Sequence, residues 1–378
     1  MQAKRTVRYF LAILGVLLVA FFSNDFNLVA VQKTAIITAI GIDKEDDAFT
    51  LTAVIANPAA QGDNGQTAGG KSGASGNGYN VVEGSGGTVA KALEDINAKT
   101  GWYPKLVFCR LILLGETLCD SNVFDGLDYF LRSEYTAKDA LLATTGKAKD
   151  ILSAKPPFNA AVSDALEKVL SDQPKRVGTV LTATLREFSI GYFSAGNSGY
   201  MPIVQTEKAE NGDLFQASET ALFHNGTQIG RLSREETFAL ACVQNPLRLA
   251  SYTIRHQGSD STLLIKNNRR KLHFSLAGDQ PKMDVELTVY ADLDDRSVSS
   301  SLSDLSMREK ETAVFTTAAE RLQDEIEKMF LSCQAVGFDA FDAIGKLQKY
   351  ENAHYPTLKD SLVERLEISV SVRFRSIR

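Results

Sequence analysis

From residue 34 onward the apolar residues recur with two different periods, and this limits the chain to a mixture of strands and amphipathic helices. Phe49, Leu51, Ala53 and Ile55 alternate with Thr50, Thr52 and Val54, which makes one face of a strand. The apolar run Ala35–Ile42 before them predicts its hairpin partner, with Gly41 and the acidic "DKEDD" (43–47) as the turn. Val89, Leu93 and Ile96 instead fall at i, i+4 and i+7, the spacing of one helical face. "KLVFCRLILLGE" (105–116) is densely apolar and is expected to be a central strand with Cys109 inside it. "NVFDGLDYFLRS" returns to helical spacing through Phe124, Leu127, Phe130 and Leu131. "DALLATTG" predicts a strand and "KAKDILSAKPP" a short helix stopped by two prolines. "NAAVSDALEKVLSD" and "TVLTATLREFS" predict two more helices.

Glycines, Pro202 and polar residues over 191–202 mark a boundary. Beyond it, Asn225-Gly226 lies between two strand-like runs, a strong hairpin signal. Ser233 followed by Glu236 is a capping box opening a helix lined by Phe238 and Cys242. The strands "SYTIRH", "STLLIKN", "KLHFSLAG" and "KMDVELTVYA" follow, with "NNRR" (Asn267–Arg270) expected as a tight connection. A long helix then carries Phe315, Ala318, Leu322, Met329 and Cys333 on one side. At the end, Leu366, Ile368, Val370, Val372 and Phe374 alternate with polar residues as a half-buried strand. The expected fold class is α+β, or mixed α/β, in three small domains. They are residues 34–190 with a Gly-rich loop at 59–87, a middle domain 191–255, and 256–378 with the long helix and terminal strand.

Residues 1–33 stand apart. Lys4, Arg5 and Arg8 precede "YFLAILGVLLVAFF" (9–22), which has no charged residue. A basic stretch before an apolar one describes a signal peptide or membrane anchor. With the cations ahead of it, the rest of the chain is expected on the extracytoplasmic side. The run has 14 residues against the roughly 20 of a spanning helix.

Chemistry-bearing patterns are few. "GQTAGGKS" (65–72) matches the phosphate-loop spacing through Gly65, Gly70, Lys71 and Ser72. A phosphate loop, however, needs a strand before it and a helix after it, and here Pro58 closes the last strand while "GASGNG" follows. The expectation is a surface loop and no nucleotide. The formal charge of −5 gives no bulk reason to expect nucleic-acid binding. His224, His256, His273 and His354 have no second histidine at metal-ligand spacing, and no nucleophile elbow occurs. Cys109, Cys119, Cys242 and Cys333 are scattered, and read as buried small hydrophobes or, outside the cytoplasm, as disulfide partners. No catalytic, cofactor-binding or metal residues are expected, and the chain is expected not to be an enzyme. An extracytoplasmic solute- or carbohydrate-binding protein is the alternative.

Several stretches, in order, resemble the Ger(x)C family, the C subunits of spore germination receptors. They are "AIGIDKEDDAFTLTAVIANP", "GGTVAKALEDINAKT", "KLVFCRLILLGETL", "LDYFLRSEYTAKDALLATTGKAKDIL", "TALFHNGTQIGRLSREET" and "HYPTL…LEISVSVRF". The resemblance implies a non-enzymatic, membrane-anchored subunit of three mixed α/β domains. It would act beside A-type and B-type membrane subunits in a receptor for germinants such as amino acids or sugars. Members usually carry a lipobox cysteine after the signal peptide, whereas the first cysteine here is Cys109. No lipid-attachment residue is therefore expected, and the anchor falls to residues 9–22.

Overall fold

A computed structural model describes residues 13–15, 34–56, 78–133, 136–157, 161–174, 178, 180–244, 247–256, 258–296 and 307–377. The Gly65–Ser72 stretch, expected as a surface loop, and most of the 9–22 run lie outside the described residues. Among the described residues, no helix is long and apolar enough to cross a membrane.

The first sheet begins with the expected hairpin, β1 (Thr34–Glu45) and β2 (Ala48–Ala56), extended by β3 (Tyr79–Gly86). Its turn is at Asp46–Asp47, later than expected, and Gly41 and Asp43 lie inside β1. The reason is tertiary. A Cβ on Gly41 would come within 2.8 Å of the Ala148 Cβ, so glycine lets a helix close on the strand. The buried Asp43 carboxylate accepts from the Ala148 and Lys149 N–H groups at 2.9 and 3.0 Å, capping that helix.

Helix α1 (Val89–Thr100) follows, capped by Thr88, with Val89, Leu93 and Ile96 buried as their spacing required. The densely apolar stretch 105–116 is not one strand. β4 (Tyr103–Lys105) pairs with the start of β1, the chain turns over 106–110, and β5 (Leu111–Gly115) resumes beside β1. Cys109 therefore lies in a turn rather than a strand. Next come α2 (Glu116–Cys119), α3 (Phe124–Arg132), β6 (Leu141–Thr145), α4 (Ala148–Leu152) and α5 (Val162–Glu167). A π-helical turn at Lys168–Asp172 continues α5. "TVLTATLREFS" divides into the short strand β7 (Ala183–Thr184) and α6 (Leu185–Tyr192).

β8 (Ser198–Ala209), β9 (Gly212–His224) and β10 (Thr227–Leu232) complete the sheet, whose order is β10-β9-β8-β6-β5-β1-β2-β3. β8 joins β6 through one residue pair, Thr144↔Ile203. The β9–β10 turn has Asn225 and Gly226 at φ 50° and 79°, as an Asn-Gly hairpin requires. Helices cover both faces. In β5, Ile112 and Leu114 join the core under α1, α2, α3 and α6, while Leu111 and Leu113 join the one under α4 and α5. Burial on both faces explains why β5 reads as an unbroken apolar run.

The second sheet has the order β11-β12-β13-β14: β11 (Ala250–His256), β12 (Ser259–Ala277), β13 (Gln280–Arg296) and β14 (Glu367–Ser376). "NNRR" is not a connection; β12 runs straight through it and pairs with β13 along its length. Its polar side chains serve the C-terminus of α7 (Arg234–Gln244), where the last carbonyls have no partner inside the helix. Buried Asn268 donates to Cys242 O (2.7 Å) and accepts from Leu247 N (2.6 Å), and Arg270 donates to Val243 O. α7 opens on the expected capping box, with Ser233 N to Glu236 Oε2 at 2.9 Å and Glu236 N to Ser233 Oγ at 3.4 Å. The long helix α8 (Met307–Ala335) lies on this sheet with Phe315, Ala318, Leu322, Met329 and Cys333 buried, followed by α9 (Ala343–Tyr350), α10 (Tyr355–Leu358) and α11 (Leu362–Arg365). This core also takes in Leu222 and Leu232 of the first sheet, so β9 and β10 contribute to both halves of the molecule.

Candidate interaction surface

The groups that commonly do chemistry are dispersed. His224 ends β9, His256 ends β11 with its Nδ1 2.8 Å from Thr317 Oγ1, His273 lies in β12, and His354 precedes α10. Among the described residues, no three His, Cys, Asp or Glu side chains converge as metal ligands. All four cysteines are free and buried. Burial raises every thiol, with Cys109, Cys119 and Cys333 pushed up to about 12, so none supplies a thiolate near neutral pH.

Among the described residues, cavities open where elements meet, two of them beside polar side chains. One of about 300 Å³ lies between α6, β8 and the turn before α9, lined by Phe188, Ile190, Tyr200, Gln244, Phe338 and Asp339. Asp339 is buried there, and burial raises its carboxyl despite backbone N–H groups of Ile344, Ala343 and Phe341 at 2.8, 2.8 and 3.3 Å. Those bonds absorb its acceptor capacity, so it shapes the turn. The other, about 350 Å³, opens between the end of β6 and the middle of β8 beside Thr145, Lys147 and Asp150, with the Glu116–Arg231 ion pair in its wall.

Among the described residues, exposed large apolar side chains gather in two stretches, apart from others such as Leu214, Leu331 and Tyr350. On the ridge formed by α6, Ile190 is 63% exposed and Phe193 73%. A shallow groove joins them to Leu131, with Lys138 and Arg186 at its rim. Phe193 is held by its neighbours: Phe124 lies 5.9 Å away and Tyr192 4.9 Å, and Phe124 stacks on Tyr192 at 3.8 Å. An exposed aromatic ring already fixed in place loses little freedom on binding, which is how interface anchors behave. Lys138 Nζ is tied to the carbonyls of Phe130, Leu131 and Ser133 at 2.7, 2.7 and 2.9 Å, which fixes the groove wall.

The second place is the connection between α1 and β5, where Trp102, Tyr103, Val107 and Phe108 are 38, 55, 46 and 56% exposed. Here the turn closed by Cys109 N to Leu106 O (2.9 Å) buries Leu106 and Cys109 and points Val107 and Phe108 outward. Neither surface was legible as such in the sequence, because an apolar residue in a string of letters reads as core wherever it stands.

Residues 28–206 match the family described as spore germination protein N-terminal domain, and residues 218–378 match the one described as spore germination B3/GerAC-like, C-terminal. The solved structure described as "Crystal Structure of the GerBC protein" aligns with a TM-score of 0.54 at 16% identity, covering 90% of this chain and 97% of that one. That likeness is one of fold, and it agrees with the multi-domain mixture of helices and sheets seen here. No curated protein matches the chain. With matches of the two kinds lying end to end along it, the chain belongs to the GerAC family of spore germination receptor C subunits.

Proposed function

We propose that the protein is a non-enzymatic, membrane-anchored subunit that supports nutrient-triggered germination by contacting A-type and B-type membrane subunits from the extracytoplasmic face. Membership of the family supports a place in a receptor complex. The observation that carries the contact is the α6 ridge, where Phe193 and Ile190 present a fixed apolar surface with a basic rim. Such a surface suits a protein partner better than solvent. Residues 9–22 serve as the anchor, in place of a lipidated cysteine. The chain binds no nucleotide, nucleic acid or cofactor. We also propose that residues 34–190, 191–255 and 256–378 are three domains that fold together as one unit, a reading supported by the sheet shared by the first two and the core shared by the last two.

The test is co-purification from detergent-solubilised membranes. Ile190→Asp together with Phe193→Asp should remove the membrane subunits from the eluate while thermal unfolding stays near that of the wild type, since both side chains already face solvent. Undiminished recovery of both partners with that variant would sink the assignment of the ridge.

A further inference from the structure

The Trp102–Phe108 segment stands where the chain enters its fold. Tyr103, Pro104 and Lys105 pair in register with Thr34, Ala35 and Ile36, the first residues of β1. Arg110 N then donates to Thr38 O at 2.9 Å, so the intervening turn flanks the next residues of the same strand. Eleven residues, 23–33, separate Thr34 from the apolar run 9–22. Even fully extended they reach only about 36–40 Å. Any bilayer holding residues 9–22 is thus within one short tether of the patch.

The patch has the composition of a membrane interface. Trp and Tyr favour the headgroup level, where a ring is apolar on its body and polar at its tip. Val107 and Phe108 add apolar side chains at a turn tip, which water penalises and acyl chains accept. Lys105, between the two pairs, has a stem long enough to carry its ammonium back to the phosphates. The basic residues close by on the surface are otherwise engaged: Arg110 pairs with Asp164 and Glu167, and Lys99 with Asp95 at 2.7 Å.

We propose that Trp102, Tyr103, Val107 and Phe108 form a second membrane contact, entering the interfacial layer of the bilayer that holds residues 9–22. The proposal rests on the anchor reading given above. It makes the two elements act together, since a 14-residue apolar run is a short anchor by itself. A tether of this length keeps the patch at high effective concentration over the surface, so a weak contact suffices. It also fixes which end of the first sheet faces lipid.

Trp102 is the only tryptophan, so its fluorescence reports on the patch alone. The full-length protein is reconstituted into phosphatidylcholine–phosphatidylglycerol vesicles, floated, and read with lipids brominated at different acyl positions. Emission should shift to the blue on reconstitution, with quenching strongest for bromines nearest the headgroup. Val107→Ser with Phe108→Ser should lose most of that quenching while the protein still floats through residues 9–22. Floated wild-type protein whose Trp102 is untouched by brominated lipid would overturn the proposal and leave the anchor standing. A blue shift without lipid quenching that grows with protein concentration would assign the patch to a second copy, and so would also overturn it. Protein that does not float at all would overturn both readings.

Discussion

Replacing Asn268 by alanine tests whether the second sheet and α7 are joined by a polar lock. The side chain is buried and makes two bonds, donating to Cys242 O at 2.7 Å and accepting from Leu247 N at 2.6 Å. Cys242 and Leu247 are themselves buried, so truncation leaves a carbonyl and an N–H without partners in a dry site. Each such orphan costs about 1–3 kcal/mol, or roughly 2–6 kcal/mol for both. Water entering the vacated space would recover part, leaving about 2–4 kcal/mol. For a unit of this size each kcal/mol lowers Tm by about 2–4 °C, so the expected drop is roughly 4–16 °C. Differential scanning calorimetry reads it directly. Asn267→Ala, next door but exposed, is the control and should stay within about 0.5 kcal/mol of wild type. A Tm for Asn268→Ala within about 1 °C of wild type would refute the lock, because no packing change offsets two buried orphans of that size.

Two further outcomes follow from close contacts in the first sheet. Gly84→Ala should cost about 1–3 kcal/mol of stability, read as a lower urea midpoint, because the new Cβ would sit 2.3 Å from Ala92 O and 2.7 Å from Ile96 Cγ1. Gly87→Ala, with no described heavy atom within 4 Å of the added carbon, should not. For Asp43, burial raises the carboxyl against the opposing hydrogen bonds from Ala148 and Lys149. A folded pKa above the unfolded one means that stability is fullest below the ordinary carboxylate value and declines as pH rises through the raised value. Stability measured against pH should lose that slope in Asp43→Asn, whatever its absolute offset; an unchanged slope would show that Asp43 ionises freely.

Short-range features of the sequence specify much of this fold. The period-2 stretch of β14, the Ser233–Glu236 capping box, the Asn225-Gly226 turn and the apolar stripes of α1 and α8 are settled by residues within a turn or two of one another. Local sterics and capping bonds need no distant partner, so these elements read correctly from the letters alone. The order and number of matching stretches likewise identified the family.

Long-range packing decided the rest. β12 continues through "NNRR" because the C-terminus of α7 needs Asn268 and Arg270, which are far from it in sequence. β1 passes beyond Gly41 because α4 closes on it there and Asp43 caps that helix. "KLVFCR" leaves the sheet because Leu106 and Cys109 are taken into the core, which turns Val107 and Phe108 out. Ile190 and Phe193 fall at the end of a helical pattern and inside the 191–202 boundary, and only the packing of the other elements leaves them bare on one ridge. Hydrophobicity tells which side chains seek burial, but which of them find a neighbour depends on where every other element comes to rest.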